Sequence, residues 1–352
     1  MIEFKQGNLL LENAEALVNT VNCVGVMGKG IALQFKQAYP ENFRQYEKAC
    51  RSTFVQPGRM FTVATGNLFN PKYIINFPTK RHWKGKSNIE DIKSGIFALV
   101  AEVRRLNITS IAIPPLGCGN GGLNWAEVQP LIESAFAHLP NVQVIIFEPS
   151  GAPVAEKMPV ATKKPSMTRG RAIIIRLLEL YGIPGYELTK LEIQKLAYFL
   201  QEAGEVLKLP YKKHIYGPYA DNLNNVLKNI EGHYIRGYGD GTGSKEIYVL
   251  PEGRIASLAF LETLPDAQER LDRVSDLIYG FETPYGMELL ATVHWVATKY
   301  PKPAQNSEQA IAFVHEWSDR KRQLFKREHI RKAWQRLHEQ NWLTFHSSQD
   351  SV

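Results

Sequence analysis

Two glycine-dense segments constrain this chain most: NCVGVMGKGIALQF at 22–35 and PPLGCGNGGL at 114–123. Each follows a short apolar run and precedes a helical pattern. A surface turn needs one glycine or two, so this density implies that something comes very close to the main chain. Without a Cβ, backbone N–H groups can converge inward. At a helix N-terminus those donors add to the helix dipole and form an anion site. Two such loops, each leaving the C-terminal end of a strand, predict a diphosphate gripped between them, at the edge where open α/β sheets take ligands. GVMGKGIA is not a P-loop, because no GK[ST] follows at the required spacing. GCGNGG follows a late strand rather than the first, which excludes a dinucleotide-binding fingerprint.

The text around the loops alternates strand-like and helix-like runs. ALVNTVN (16–22), MFTVAT (60–65), YIINFP (73–78), SIAIPP (110–115) and VQVIIFE (142–148) read as strands. Residues 30–49 read as a helix re-started at Pro40, 89–107 as a helix with Arg104 and Arg105 in its last turn, and 124–139 as a helix capped by Asn124. This order predicts a three-layer α/β/α sandwich over residues 1–150 with a mixed sheet. The segment 151–170, rich in Pro, Ala, Lys and Ser, reads as a linker. From 171 to 352 the periodicity is mainly α-helical, with a small β-hairpin expected in HYIRGYGDGTGSKEIYVL (233–250) around its glycines.

Over the first 150 residues, GNLL (7–10), LVNTVN (17–22), GVMGKGIA (25–32) and IPPLGCGNGGL (113–123) resemble the macrodomain family in order and spacing. The resemblance implies ADP-ribose as ligand, with the diphosphate and distal ribose enclosed by the two glycine loops. The position facing adenine, usually Asp in the family, is Asn8 here, and an amide can still accept from the adenine amino group. The implied ligand-binding set is Asn8, Leu9, Thr20, Asn22, Met27, Gly28, Lys29, Gly30, Ile31, Ala32, Thr79, Gly117, Cys118, Gly119, Asn120 and Gly121.

NFPTKRHWKGKS (76–87) packs basic groups together, and Lys84 and Lys86 read as a solvated basic loop. Lys80 differs because it comes directly off the strand end, on the same edge as both glycine loops. An amine beside a ribose can attack the anomeric carbon if neutral, or stabilise charge as the leaving group departs. Among macrodomains, PTK here resembles the terminal ADP-ribose-protein glycohydrolases and the DarG antitoxins, where the lysine is catalytic. The former group carries an Asp in its second loop where this chain has Gly121, so the pattern is more similar to DarG. Cys23 and Cys118 have no histidine in their motifs and read as loop-packing residues rather than nucleophiles.

In the second half, LTKLEIQKLAYFLQEAG (188–204) and YKKHIYGPYADNLNNVLKNI (211–230) resemble the Panacea-type antitoxin domain. Gly217-Pro218 is read as a turn before a helix starting at Ala220 or Asp221. Tyr211, Tyr216, Tyr219, Tyr234 and Tyr238 either fill a small helical core or, as Tyr216, Tyr219 and Tyr238, anchor a partner. The combined resemblance implies an antitoxin that removes ADP-ribose from single-stranded DNA bases and binds its cognate DNA ADP-ribosyltransferase toxin. A non-catalytic ADP-ribose reader and an ADP-ribose 1″-phosphate phosphatase stand as alternatives, either of them fused to a DNA-binding regulator. The basic tail KREHIRKAWQRLHEQNW suits such a regulator or a solvated helix face.

A net charge of +7 permits contact with phosphates. No run of about 18 apolar residues is present, so no membrane span is expected. Three cysteines without ligand or disulfide spacing predict no metal, no cofactor and a reducing cytoplasm.

Overall fold

The computed structural model describes residues 1–182, 188–242 and 246–343. The chain divides into two compact units, Met1–Lys163 with Gly239–Gly243, and Lys164–Tyr238 with Ser244–Val352. No helix among the described residues is long and apolar enough to cross a membrane.

The first unit contains β1 (Ile2–Lys5), β2 (Ala16–Asn22), α1 (Gly30–Ala38), α2 (Pro40–Arg51), β3 (Phe61–Ala64), β4 (Tyr73–Lys80), α3 (Ile89–Arg105), β5 (Ser110–Ile113), α4 (Trp125–Phe136) and β6 (Gln143–Phe147). The strands form one sheet in the order β1-β6-β5-β2-β4-β3. All neighbours are parallel except β3, which runs antiparallel to β4. Strand alternation builds the three layers. Ala16 and Val18 of β2 face Ile92, Ile96 and Leu99 of α3 and Val128 and Ile132 of α4. Leu17, between them, joins the opposite core with Phe35 of α1 and Leu9 and Leu10. Pro40 occupies the first turn of α2, where its missing N–H has no helical partner to lose.

Strand β1 lies outside the strands expected from sequence. Its four residues alternate apolar and charged on the sheet edge, and only pairing with β6, Ile2 opposite Val144, defines it. The segment read as a linker packs on this unit as far as Lys163. Ala155 and Met158 are buried, and the Ala161 N–H donates to the Gln37 carbonyl at 2.9 Å.

The second unit contains α5 (Arg169–Tyr181), α6 (Lys190–Glu202), β7 (Lys212–His214), β8 (Gly217–Tyr219), α7 (Asp221–Ile230), β9 (Ile235–Arg236), β10 (Tyr248–Val249), α8 (Pro251–Leu261), α9 (Pro265–Ile278), α10 (Pro284–Thr298), α11 (Ser307–Trp317), α12 (Asp319–Leu324) and α13 (Arg327–Glu339). The expected two strands over 233–250 are β9 and β10, antiparallel and two residues each. From the sequence, the basic tail is read as a helix running into a short strand at WLTF (342–345), and that strand lies largely outside the described residues.

The two motifs of this unit fold onto each other. On α6, the Gln194 carboxamide brackets Ala220, donating to its carbonyl and accepting from its N–H, both at 3.0 Å. Lys195, fully buried, donates to the Pro218 carbonyl at 2.7 Å. Gly217-Pro218 is therefore not the turn but part of β8, and the hairpin tip is Ile215-Tyr216. Gly217 is required by its φ of +87° and by α10, since a Cβ would stand 2.9 Å from the Thr292 hydroxyl.

Candidate active site

The first glycine loop is shaped by Asn22 at the end of β2. Its side-chain oxygen accepts from the N–H groups of Val24 and Val26 at 3.0 and 3.3 Å, and its amide donates to the Val26 carbonyl at 2.5 Å. The Tyr46 hydroxyl donates to the Asn22 carbonyl at 2.7 Å, so a buried tyrosine of α2 braces the same turn. These bonds leave Asn22 as a builder of the loop. Met27 is buried among Val21, Tyr46 and Val55, so its side chain faces the core and only its backbone belongs to the loop. Gly28 is half-buried and Lys29 exposed, and Gly30, at φ +63°, opens α1.

The second loop folds tightly on itself. Gly117 sits at φ +73°, and a Cβ on Gly121 would lie 2.1 Å from the Gly117 carbonyl and 2.3 Å from the Ser87 hydroxyl. An Asp at 121 therefore does not fit without rebuilding the loop, which closes the Lys–Asp arrangement to this chain. Gly119 is the opposite case: it is exposed, and a Cβ there meets nothing within 4 Å.

Lys80 joins the two loops. The β2–β4 register shifts at Val21/Asn22, so that Asn22 pairs with Lys80 at the sheet edge. From there the Lys80 ammonium donates to the Asn120 carbonyl in the second loop. The Asn120 amide in turn lies 2.9 Å from where a Gly30 Cβ would stand. One cation, the second glycine loop and one helix N-terminus thus meet at the C-terminal end of the sheet. Partial burial lowers the Lys80 pKa from the ordinary lysine value. Burial pushes the Cys23 and Cys118 thiols up to about 11, so neither is a thiolate near neutral pH.

Other sequence-predicted residues have structural duties. Asn8 caps a 3₁₀ turn, accepting from the Leu10 N–H at 3.0 Å, and its amide donates to the Lys157 carbonyl at 2.6 Å. A carboxylate could make the first bond but not the second, which accounts for Asn where the family usually has Asp. Leu9 is core, Thr79 is buried with its hydroxyl donating to the Val21 carbonyl at 3.4 Å, and Thr20 pairs across to Phe77 within the sheet. Ile31 and Ala32 are half-buried on α1, against separate core clusters. Tyr238, expected as a partner anchor, is 4% exposed and so packs within the protein, whereas Tyr216 is 44% exposed at the hairpin tip and Tyr219 is half-buried.

Sequence reasoning missed three contributors. Ser87 ties the second loop down, its N–H donating to the Gly121 carbonyl at 3.0 Å. Tyr46 braces the first loop from α2. Asp240, within the Gly239–Gly243 segment of the first unit, accepts from the Gly30 N–H through its carbonyl at 2.9 Å and from the Gln34 amide through its carboxylate at 3.0 Å. Only the Asp-Gly setting of Asp240 hinted at a turn.

The loop geometry gives a paired expectation. Gly119→Leu is expected to keep the thermal midpoint of the protein and to cut ADP-ribose affinity at least about tenfold, because the side chain enters ligand space instead of protein. Gly121→Ala is expected to destabilise by about 1–3 kcal/mol through overpacking of the loop. Calorimetric titration and thermal melts separate the two, and a Gly119→Leu protein with unchanged affinity would remove this loop from the ligand site.

The sequence model of the Macro domain family matches residues 18–132. A DNA ADP-ribosyl glycohydrolase of Thermus aquaticus is 47% identical over 333 residues, covering 95% of this chain and 92% of that protein. A DNA ADP-ribosyl glycohydrolase of Mycobacterium tuberculosis is 43% identical over 353 residues, covering 96% and 99%. A DNA ADP-ribosyl transferase–DNA ADP-ribosyl glycohydrolase fusion protein of Thermosipho africanus is 34% identical over 142 residues, covering 36% and 37%. The likeness to the first two runs through both units of the chain, and on that extent and identity the chain belongs to the DNA ADP-ribosyl glycohydrolase family, with a macrodomain as its first unit.

Proposed function

We propose that this protein hydrolyses ADP-ribose from ADP-ribosylated bases of single-stranded DNA, with Lys80 acting at the distal ribose. The observation that carries the reading is the Lys80 ammonium reaching the Asn120 carbonyl beside Gly30, a charge positioned between two loops suited to a diphosphate. A protein that only reads ADP-ribose has no need of a nucleophile at the distal ribose. In the hydrolase reading the N-glycosidic bond breaks and the base leaves with its electron pair. Either the Lys80 ammonium stabilises it and water adds to the anomeric carbon, or neutral Lys80 attacks that carbon and water then displaces the lysine nitrogen to free ADP-ribose. The second unit takes the role of binding and restraining a DNA ADP-ribosyltransferase toxin, a reading supported by the fusion relative that joins the two activities in one chain. The three free cysteines, without a disulfide, support work in a reducing cytoplasm.

The test is incubation of the full chain with an ADP-ribosylated single-stranded oligonucleotide. Free ADP-ribose and an intact, unmodified base are expected. Tight ADP-ribose binding without release would leave the reader function instead.

A further inference from the structure

The segment Arg81–Ser87 holds the protein's basic, aromatic loop, and both its ends are tied to the site. At one end the Cys23 N–H, in the first glycine loop, donates to the Arg81 carbonyl at 3.3 Å. At the other, the Ser87 N–H donates to the Gly121 carbonyl at 3.0 Å in the second. Between these ties the loop projects outward. Trp83 is 49% exposed, and His82, Lys84 and Lys86 are exposed around it. The His82 ring stacks with the indole at 5.5 Å and 29°, and the Lys84 ammonium rests 5.0 Å from the indole centroid. The loop is also stiffened from within, the Gly85 N–H donating to the His82 carbonyl at 3.0 Å and the Lys84 N–H to the His82 ring nitrogen at 3.2 Å. Arg81 is paired with Asp91 at 2.9 Å, which leaves Lys84 and Lys86, among the described residues, as the loop's unneutralised cations.

A half-exposed tryptophan stacked against a histidine and followed by two exposed lysines has no role in the core. Its chemistry is that of a single-strand nucleic-acid surface, where bases stack on rings and lysines neutralise phosphates. Trp83 is three residues from Lys80, at most about 11 Å of chain, so a strand whose modified nucleotide enters the site passes this loop. We propose that His82–Lys86 is the DNA-strand platform of the enzyme: a base flanking the ADP-ribosylated nucleotide stacks on Trp83, and Lys84 and Lys86 contact the neighbouring phosphates. Stacking of a base outweighs an exposed cation–π contact, so the base displaces the Lys84 ammonium from the indole face and frees it for a phosphate. The proposal rests on the reading that the site takes ADP-ribosylated DNA.

Two measurements on the full chain test it. In the first, hydrolysis of an ADP-ribosylated oligonucleotide is compared with that of the corresponding ADP-ribosylated mononucleoside. Trp83→Ala is expected to lower the oligonucleotide-to-mononucleoside ratio of kcat/KM about tenfold, with most of the change in KM for the oligonucleotide, and Trp83→Phe to recover most of it. In the second, anisotropy of a labelled, unmodified single strand is followed against salt. Lys84→Ala/Lys86→Ala is expected to reduce the slope of log K on log salt by about 1.4, since each phosphate that is no longer neutralised takes away about 0.7. A ratio unmoved by Trp83→Ala, or duplex DNA weakened by it as much as single strand, would overturn the platform. If the protein cleaves neither substrate yet single-strand affinity still depends on Trp83, the platform stands and the hydrolase reading falls.

Discussion

Lys80→Ala is expected to bind ADP-ribose within a few-fold of wild type and to release it from DNA about 10²–10⁴-fold more slowly, the usual worth of a positioned proton-transfer or charge-stabilising group. Binding is expected to survive because, in the proposed site, the ligand's contacts are spread over two loops that Asn22, Tyr46, Gly117 and Ser87 hold in addition to the Lys80–Asn120 bond. In the proposed mechanism turnover falls because the missing group, as nucleophile or as cation, acts mainly in the transition state. The pH dependence distinguishes its two roles. Burial lowers the Lys80 pKa, so the neutral amine becomes available below the ordinary lysine range. If the amine attacks, the wild-type rate rises as pH climbs through that lowered pKa. If the ammonium stabilises charge, the rate falls over the same window and Lys80→Arg retains part of it. Single-turnover rates of wild type, Lys80→Ala and Lys80→Arg across a pH series decide this, and near wild-type cleavage by Lys80→Ala would remove the lysine from the mechanism.

Glu288→Gln is expected to cost the second unit about 3–5 kcal/mol of stability near pH 7. Glu288 is 2% exposed on α10, and its carboxylate receives the Lys321 ammonium at 2.7 Å and the Arg320 guanidinium at 2.6 and 3.1 Å. Burial alone would raise its pKa, but the two cations outweigh that and hold it below the usual carboxylate value. Without its charge, fully buried Lys321 faces Thr292 and a neutral carboxamide, with buried Lys195 repelling from the same cluster. Burial already lowers Lys321 to about 8 and Lys195 to about 7. A lysine whose folded pKa is depressed binds a proton more readily in the unfolded chain, so its cost is full below the folded pKa and fades as pH rises toward the unfolded value, about 10.4. Both proteins should therefore gain stability from about pH 7, where Lys195 begins to lose its proton, toward pH 10. Glu288→Gln should gain more and begin lower, because the lost carboxylate depresses Lys321 further. Denaturant unfolding followed through the tryptophans of this unit, at pH 7 and pH 9, checks both statements. An unchanged midpoint at pH 7 would show that the cluster relaxes without its carboxylate.

Much of the first unit was legible in the sequence because its signals are local. Apolar runs, the Pro40 restart and the Asn124 cap each act within a few residues, and β2, β4, α1 to α4 and the two glycine loops follow from them. Lys80 was legible for the same reason: a parallel strand ends on the edge where its loops gather, so a lysine directly off β4 stands beside them. What the sequence left open depends on partners far along the chain. Strand β1 exists because β6, some 140 residues away, supplies its hydrogen bonds. Met27, Thr79 and Leu9 matched a binding motif, but packing against other segments of the chain buried their side chains. Gly121 and Gly119 are the same letter, and only the 2.1 Å approach of the Gly117 carbonyl makes one indispensable to the loop and leaves the other open to a ligand. In the second unit the Panacea-like motifs were visible as text, whereas their pairing through Gln194 and Lys195, the true hairpin tip at Tyr216 and the burial of Tyr238 were decided by tertiary packing. Periodicity fixes which residues can share a face; which surface that face meets, and whether a polar group there is satisfied or left to bind a ligand, is set only when distant segments close the core around it.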